Sequence, residues 1–553
     1  MLLGILFRLL RNVLRLLVVP FAWLRRRRAS PPAAYVHVLA KGGLRDLALP
    51  GPSLPWGPPS GLSIARFRKL VDALLDDPRP KGLLLTLHPM IASAAHRTAL
   101  RRELLRLRDG GKHVVVHLPM GGASGELLLA SAASRILLGE STVVGPLGFA
   151  TQSLYAKRAL EKLGVVPDVM HQGDFKTAGE GLYRDTMSEP QREQVGRLLD
   201  TLHGELVDGL VKGRCLTQAE AISVVDQGLV TAKQAIPMRI VDALAHDDEV
   251  LHLLGEVRSE KAAVTIGAGD YLARRTAPFF QRLSRPSVVG VIEVHGAIVE
   301  AEKGPAGVAA AGEIVALLEA AAKDDHVVGV LLHVDSPGGG VLASAKIHRA
   351  VELLALKKPV VAQFAGVAAS GGYYVGAPCH AIVAEATTIT GSIGVVAARV
   401  VLGPLLERLG ITPEVLTRGA RADIMNITRA YDEGERAVLD QFLAESYDDF
   451  VSIVAKGRNK PKEAILPLAG GRVWSGADAL EHGLVDRLGG MAEALEELTR
   501  RLPAQHADAE PQILAARLSL LRRLLPPLPG LSLGGLLGRF LMRSLAAQPP
   551  FGT

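Results

Sequence analysis

Short apolar runs alternate with longer amphipathic stretches along most of the chain. In the second half, three continuous apolar runs have the length of strands: VVGVIEV (288–294), VVGVLLHV (327–334) and PVVAQFAG (359–366). Two stretches between them have the apolar spacing of helices, AAGEIVALLEAAA (310–322) and LASAKIHRAVELLAL (342–356). Strand–helix–strand alternation predicts parallel βαβ units with right-handed crossovers, and therefore an α/β fold.

The two halves of the chain are copies of one another. LEKLGVVPDV (160–169) recurs as LERLGITPEV (406–415), and the same offset of 246 carries Lys112 onto Lys358, Ser124 onto Ser370 and Gly148 onto Gly394. Each copy also has a long amphipathic helical pattern, over 189–214 and 433–458. These features predict a tandem duplication, with a first repeat over 35–262, a connector over 263–286 and a second repeat over 287–502.

Composition narrows the possible functions. A chain of 553 residues with 48% hydrophobic residues has enough apolar side chains for more than one core. Its only cysteines, Cys215 and Cys379, lie in unrelated contexts, so we expect neither a disulfide framework nor a thiolate metal site. No metal-ligand spacing, P-loop or dinucleotide-binding glycine motif is present in the sequence. Nothing in the sequence therefore calls for a metal or a cofactor.

The net charge of +7 comes from the two ends of the chain. Residues 1–30 and the tail 503–553 are basic and leucine-rich, which favours contact with a membrane surface over nucleic acid binding. Three arginines, Arg8, Arg11 and Arg15, interrupt the apolar stretch 2–24, and each would cost roughly 2.5–3.5 kcal/mol at the centre of a bilayer. We therefore favour a helix lying in the membrane interface, with a membrane span as the alternative.

A glycine-rich turn follows the second predicted strand of the second repeat. DSPGGG (335–340) lies between that strand and a helix, and Gly338 and Gly339 leave backbone N–H groups unshielded. Such a turn can form an oxyanion hole, but it can equally be a tight connection between a strand and a helix.

A serine follows the next strand, within AASGGYY (368–374). Small residues on both sides would let a substrate approach the Ser370 hydroxyl, and Gly371 could add a second N–H group. Together with the glycine turn upstream, this segment suggests a nucleophile.

A nucleophilic serine needs a base, and two residue types are candidates. Five histidines are possible bases, but none stands in a clear triad context: His88, His117, His171, His333 and His380. The alternative is a lysine that burial keeps neutral, and Lys176 in GDFKTAGE (173–180) follows an apolar strand pattern in the first repeat. Its counterpart in the second repeat is Ala422, so the repeat that holds Ser370 lacks this lysine.

DSPGGG, VAASGGYY (367–374) and ATTITGSIGV (386–395) together resemble the signal peptide peptidase A family, also called protease IV, in its long two-repeat form. The resemblance covers about residues 35–500 and implies the fold shared with Clp protease and crotonase. It also implies roles for particular residues. Ser370 would be the nucleophile, Lys176 the general base and Ser392 the residue that positions the lysine, with the oxyanion hole formed by Gly338, Gly339 and Gly371.

The resemblance further implies a membrane-associated serine endopeptidase that degrades cleaved signal peptides and other short apolar peptides. It implies a homotetramer without cofactor or metal, located at the cell inner membrane with its body on the periplasmic side. If residues 2–24 spanned the membrane, Arg25–Arg28 would favour the cytoplasmic side, so the sequence leaves the side open.

Ser124 in GGASG (121–125) matches Ser370, but the segment TLHPMIAS (86–93) lacks the glycines of the matching turn, so we expect Ser124 to be vestigial. Two other functions stay open at the level of sequence. One is an acyl-CoA enzyme of the crotonase type, which uses the oxyanion hole without a nucleophile. The other is a catalytically inactive membrane scaffold with the same fold.

Overall fold

The computed structural model describes residues 9, 10, 12, 13, 16, 35–47, 61–255, 262–276, 286–305 and 307–514. The prediction of a membrane-associated segment over 1–30 falls almost wholly outside these residues, as does most of the predicted tail 503–553. Among the residues that are described, no helix combines the length and the apolar character needed to cross a membrane.

The first repeat is built on a mostly parallel sheet. Its strands are β1 (Tyr35–Arg45), β2 (Leu62–Ser63), β3 (Gly82–Ile91), β4 (His113–Leu118), β5 (Arg135–Leu138), β6 (Val143–Val144), β7 (Val166–His171), β8 (Val230–Thr231), β9 (Ala243–Leu244) and β10 (Thr265–Gly267). Its helices are α1 (Ile64–Leu75), α2 (Ala94–Asp109), α3 (Ser124–Ala130), α4 (Lys157–Leu163), α5 (Glu180–Tyr183), α6 (Glu189–Arg214), α7 (Gln218–Asp226), α8 (Ala232–Ala235), α9 (Val250–Leu253) and α10 (Ala268–Thr276). The sheet order is β10-β1-β3-β4-β5-β9, with β2 beside β1.

The second repeat has the same plan. Its strands are β11 (Val288–His295), β12 (Ala297–Val299), β13 (Val308–Ala310), β14 (Val327–Ser336), β15 (Val360–Ala369), β16 (Ala381–Ala384), β17 (Ile389–Gly391), β18 (Val396–Val401), β19 (Val473–Ser475), β20 (Arg487–Leu488) and β21 (Glu510–Ile513). Its helices are α11 (Ala311–Lys323), α12 (Val341–Ala355), α13 (Gly371–Gly376), α14 (Gly403–Arg408), α15 (Glu433–Gly457), α16 (Lys462–Ile465), α17 (Gly476–Glu481) and α18 (Met491–Thr499). The sheet order is β19-β17-β15-β14-β11-β21, with β16 pairing β15 and β20.

The structure confirms the predicted α/β class. The central strands of both sheets are parallel, as in β3 with β4 and β14 with β15. Their Val, Leu and Ile side chains are almost all buried, because helices cover both faces of a parallel sheet. Each long helix begins directly after a capping residue. Ser188, before α6, accepts a hydrogen bond from the Gln191 N–H, and Asp432, before α15, forms a capping box with Glu435.

The predicted ends of the repeats differ from the structure. β10 and α10 lie within the predicted connector 263–286, yet β10 pairs with β1 and so extends the first sheet. β21 lies within the predicted tail, where it pairs with β11. Both are short strands at the edge of a sheet. Their sequences lack the alternation of apolar and polar residues that predicts a strand.

Contacts between the repeats hold the two sheets together. β7 of the first repeat pairs antiparallel with β18 of the second. Arg102 on α2 forms ion pairs with Glu385 and Glu493, and Arg197 on α6 pairs with Asp478 at 2.6 Å. The first repeat therefore packs directly against the second.

Candidate active site

Ser370 stands at the sharp turn between β15 and α13. Its φ of +53° and ψ of −120° lie in a region that residues with a side chain rarely adopt. The turn is held by hydrogen bonds, because the Ser370 N–H donates to the Gly391 carbonyl at 2.9 Å and the Tyr374 N–H donates to the Ser370 carbonyl at 2.9 Å. The surrounding structure therefore fixes a strained serine at the carboxyl end of a central strand, where ligands commonly bind in open α/β sheets.

The glycine turn packs directly against this serine. Gly338 has a φ of +99°, and a Cβ atom at that position would lie 2.6 Å from the Gly371 nitrogen. A Cβ atom on Gly371 would lie 3.2 Å from the Gly339 nitrogen. The amides of Gly339 and Gly371 therefore adjoin, and within the described chain neither donates to another protein group.

The expectation that Gly338 donates to an oxyanion does not agree with this geometry. Its N–H already donates to the Ser336 hydroxyl at 3.1 Å, and that hydroxyl in turn donates to the Gly296 carbonyl at 2.6 Å. Gly338 instead supplies the left-handed backbone conformation that brings Gly339 beside Gly371. The pair of amides that could hold an oxyanion is therefore Gly339 and Gly371.

Lys176 reaches the serine from the first repeat. The loop after β7 carries it across, and the Phe175 N–H donates to the Gly470 carbonyl at 3.0 Å in the second repeat. The Lys176 Nζ lies 3.0 Å from the Ser370 Oγ, and it lies 3.0 Å from both the hydroxyl and the carbonyl oxygen of Ser392. The structure thus brings together the three side chains that the sequence suggested for nucleophile, base and lysine positioning.

Burial governs the charge of Lys176. Its exposed fraction is only 5%, and this burial lowers the pKa of its amine to about 7. A substantial part of the lysine population is then neutral near neutral pH, which is the form that can accept a proton.

Gln194 is a buried polar residue of this site that the sequence gave no reason to select. From α6 its side-chain amide donates to the Phe175 carbonyl at 3.2 Å and to the Thr177 hydroxyl at 2.8 Å. Its carbonyl oxygen accepts a hydrogen bond from the Val473 N–H at 3.1 Å. Gln194 thus ties the lysine loop to the second repeat, but on an amphipathic helix it looks like any other surface glutamine.

Three of the histidines that the sequence raised as possible bases have other partners. The His333 Nε2 lies 2.9 Å from a carboxylate oxygen of Asp46, and His380 bonds the backbone of Val360. His171 bonds the Gly173 carbonyl at 3.0 Å. Throughout the described part of the chain, Lys176 is the basic side chain that contacts Ser370.

Ser124 occupies a different environment from Ser370. Its hydroxyl donates to the Gly148 carbonyl at 3.0 Å, and its backbone lacks the positive φ of Ser370. The counterpart of Ser392 is Pro146, which has no hydroxyl, and the counterpart of Lys176 is Ala422. Within one chain, Ser124 therefore lacks both a base and the group that would position it.

One group of potential metal ligands lies elsewhere. Among the described residues, Glu140, His246 and Glu249 place ligand atoms within 4.8 Å of one another, and all three side chains are exposed. None of them contacts the residues around Ser370, so this group does not belong to the candidate active site.

Comparison with known proteins gives a consistent picture. The sequence model "Peptidase family S49" matches residues 106–260 and 352–504, one segment in each repeat. The chain is 29% identical over 443 residues to "Serine protease SPPA, chloroplastic" of Arabidopsis thaliana, covering 79% of this chain and 65% of that protein. It is 32% identical over 455 residues to "Protease 4" of Salmonella typhi, covering 78% of this chain and 71% of that protein.

A shorter relative and a solved structure match single parts of the chain. "Putative signal peptide peptidase SppA" of Enterococcus faecium is 42% identical over 181 residues, covering 32% of this chain and 52% of that protein. A ClpP1 mutant from Listeria monocytogenes aligns with 37% of this chain and 94% of its own, at 14% identity and a TM-score of 0.26. The chain thus spans about two thirds of the length of the two long relatives.

Proposed function

The chain belongs to peptidase family S49 and is a serine protease, and we propose that Ser370 is its nucleophile and Lys176 its general base. The observation that carries this proposal is the 3.0 Å separation of the Lys176 Nζ and the Ser370 Oγ. This separation is within the reach required for direct proton transfer. Because the lysine comes from the first repeat and the serine from the second, one chain would hold one complete site.

In the acylation step, neutral Lys176 accepts the proton of the Ser370 hydroxyl as its oxygen attacks the carbonyl carbon of the scissile peptide bond. A tetrahedral intermediate forms, with its negative charge on the former carbonyl oxygen. The protonated lysine then donates its proton to the leaving nitrogen as the carbon–nitrogen bond breaks. The products are a free amine and an ester on Ser370.

In the deacylation step, water attacks the ester carbon and Lys176 accepts the proton of that water. The carbon–oxygen bond to Ser370 breaks, and the proton returns from the lysine to the serine hydroxyl. The amides of Gly339 and Gly371 would stabilise the oxyanion in both steps. Loss of one such donor costs roughly 2.7–4 kcal/mol in comparable enzymes.

Ser392 acts as a positioning residue in this proposal. Its hydroxyl and carbonyl oxygens both accept hydrogen bonds from the lysine amine, each at 3.0 Å. Because a neutral amine has two N–H bonds, these two hydrogen bonds leave its lone pair to face the Ser370 hydroxyl. The backbone of Gly471 approaches the lysine so closely that a Cβ atom there would lie 2.5 Å from the Lys176 Cβ.

We further propose that the substrates are signal peptides and other short apolar peptides, degraded at the inner membrane. The name of the Enterococcus faecium relative, a signal peptide peptidase, supports the substrate class. The basic, leucine-rich residues 1–30 support contact with a membrane. Assembly as a homotetramer is part of the same proposal.

The two other functions that the sequence left open are less well supported. Family membership favours a peptidase over an acyl-CoA enzyme. An inactive scaffold would have no need for a buried lysine whose pKa is lowered to about 7 beside a strained serine.

The test is mass spectrometry of synthetic signal peptides incubated with the wild type and with the Ser370→Ala, Lys176→Ala and Ser124→Ala variants. We expect the first two substitutions to abolish cleavage and Ser124→Ala to leave it intact. Labelling by a serine-directed phosphonate should likewise require Ser370. Near-full cleavage by Lys176→Ala would overturn the role of the lysine, and unchanged cleavage by Ser370→Ala would overturn the proposal as a whole.

A further inference from the structure

Gln194 occupies an unusual place on α6, a helix that the structure describes in full. Between Glu189 and Glu205 it is the one buried residue, and the buried apolar residues of the helix begin only at Leu206. The side chain of Gln194 is 4% exposed. Because a buried amide is costly unless its polar atoms find partners, the contacts of this side chain explain its burial better than an apolar core does.

The side-chain nitrogen of Gln194 holds the lysine loop on both sides of Lys176. It donates to the Phe175 carbonyl at 3.2 Å and to the Thr177 hydroxyl at 2.8 Å. Since Phe175 and Thr177 directly flank the lysine, these two hydrogen bonds fix the backbone from which its side chain starts. They therefore bear on where the amine lies relative to the Ser370 hydroxyl.

The side-chain oxygen of Gln194 contacts the segment that holds Ser392. It accepts a hydrogen bond from the Val473 N–H at 3.1 Å. The carbonyl of Arg472, the preceding residue, accepts the Ser392 N–H at 2.7 Å. Ser392 in turn accepts two hydrogen bonds from the Lys176 amine. Gln194 thus closes a ring of contacts that begins and ends at the lysine.

Arg472 covers the same loop from the second repeat. Its guanidinium carbon lies 4.7 Å from the centre of the Phe175 ring and 4.4 Å from the centre of the Trp474 ring. It also forms an ion pair at 2.7 Å with Glu193, the neighbour of Gln194 on α6. The loop is therefore closed against the second repeat at the point where Gln194 holds it.

We propose that Gln194 is a positioning residue for the general base, acting through the lysine loop to keep the Lys176 amine shielded from water and aligned with Ser370. This inference rests on the proposed roles of Lys176 and Ser370, and it adds a residue that touches neither of the two reacting groups. Without its hydrogen bonds, the loop would loosen and water would reach the amine, which favours the ammonium form. Less of the lysine would then be a base near neutral pH.

Burial is the cause of the lowered pKa of Lys176. The titratable or charged groups around the loop are engaged elsewhere or point to solvent: His171 and Asp174 beside it in the chain, Glu180 on α5, Glu193 on α6, Tyr447 on α15 and Arg472 before β19. A change that admits water to the amine should therefore raise its pKa towards the ordinary lysine value.

The pH profile of kcat/KM tests this role. Gln194→Met keeps the length of the side chain and removes its three hydrogen bonds. We expect kcat/KM at pH 7 to fall about 10- to 100-fold and the rising limb of the profile to move up by about one pH unit, so that part of the loss is recovered at pH 9. A purely structural role would lower the rate by the same factor at every pH.

Gln191→Met is the matched control, because it makes the same substitution one turn earlier on α6. The side-chain oxygen of Gln191 accepts a hydrogen bond from the Tyr155 hydroxyl at 2.7 Å and does not contact the lysine loop. We expect its kcat/KM and its rising limb to match the wild type within about twofold. A shift of the limb in this control as large as that in Gln194→Met would overturn the proposal.

Thr177→Val provides a second variant that removes only the 2.8 Å hydrogen bond. It should move the rising limb in the same direction as Gln194→Met but by less, and it decides the question alone if Gln194→Met does not fold. If the wild-type limb lies near pH 7 and the folded variants leave it in place, the positioning role is overturned while the assignment of Lys176 stands. If the wild type has no such limb, or Lys176→Ala cleaves at a near wild-type rate, the proposed function itself fails.

Discussion

The Lys176 Nζ lies 3.0 Å from the Ser370 Oγ, although the two residues belong to different repeats of the chain. The second repeat has Ala422 at the position of the lysine, and in the first repeat the hydroxyl of Ser124, the counterpart of Ser370, donates to the Gly148 carbonyl instead of meeting a lysine. The duplication therefore allowed the two copies to diverge, one keeping the lysine loop and the other keeping the serine with its glycine turn. The stability of the repeat interface and the chemistry of the site are consequently linked.

The first prediction concerns the pH dependence of cleavage. In the proposed mechanism the neutral form of Lys176 is the base, and burial lowers the pKa of this lysine to about 7. We expect kcat/KM to rise with pH through about 7, to level off above it, and to fall about tenfold per pH unit well below it. Initial rates on a fluorogenic peptide between pH 5 and 9 would measure this. A flat profile, or one that rises only near the ordinary lysine pKa, would contradict the assignment.

The second prediction concerns Ser392. Removing its hydroxyl in Ser392→Ala leaves the lysine amine with one fewer positioning contact, so kcat should fall about 10- to 100-fold with little change in KM. The ammonium also loses an acceptor, so the pKa seen in the pH profile should fall further.

The control for Ser392 separates its hydroxyl from its backbone conformation. Ser392 has a φ of +52°, which glycine adopts more easily than alanine. Ser392→Gly should therefore lose as much activity as Ser392→Ala if the hydroxyl is what matters. Recovery of wild-type rates in the glycine variant would assign the effect to backbone strain instead.

The third prediction uses two glycines of one turn. A Cβ atom on Gly338 would lie 2.6 Å from the Gly371 nitrogen at a φ of +99°, whereas the nearest atom to a Cβ on Gly340 would be 3.7 Å away. We expect Gly338→Ala to lower kcat/KM by about 100-fold or more, since it would displace the amides of Gly339 and Gly371, the proposed oxyanion donors. Gly340→Ala should stay within about twofold of the wild type. Equal rates for the two variants, with both folded by circular dichroism, would exclude this turn from catalysis.

The sequence was sufficient to predict the central strands, the long helices and the meeting of Ser370 with Lys176. The strands and helices carry strong apolar periods, and the offset of the repeats revealed which copy kept each group. The sequence could not show which amide of the glycine turn is free to bind an oxyanion. That depends on the folded structure, in which the Gly338 N–H donates to the Ser336 hydroxyl. Nor could it select Gln194, because two of its hydrogen bonds depend on the folded shape of the lysine loop and the third, from the Val473 N–H, forms only across the repeat interface.

The fourth prediction concerns a buried cluster between the repeats. A carboxylate oxygen of Asp46 lies 2.9 Å from the His333 Nε2 and 3.4 Å from the His96 Nε2. Burial alone would raise the pKa of Asp46, but the hydrogen bonds from the two histidines hold it below its usual range. Burial would lower the pKa of both histidines, but their bonds to Asp46 raise it above the ordinary value.

The signs of these shifts define a pH window. The raised histidine pKa values contribute stability that is fully present below about pH 6.5 and is lost as pH rises through the folded-state values. The lowered pKa of Asp46 contributes stability that is present above about pH 4 and is lost as pH falls. Asp46→Asn should therefore lower Tm more at pH 6 than at pH 8.5, because at the higher pH part of the wild-type stabilisation is already gone.

The size of this effect follows from removing one partner of a buried charge network, which typically costs about 3–5 kcal/mol. Thermal unfolding of the wild type and of Asp46→Asn at the two pH values would measure it, with Asp109→Asn, which alters an exposed carboxylate, as the matched control. The control should change Tm little at either pH. If Asp46→Asn lowered Tm equally at both pH values, the two histidines would not be charged in the folded protein. Asp46 would then act only as a hydrogen-bond acceptor for neutral histidines at the repeat interface.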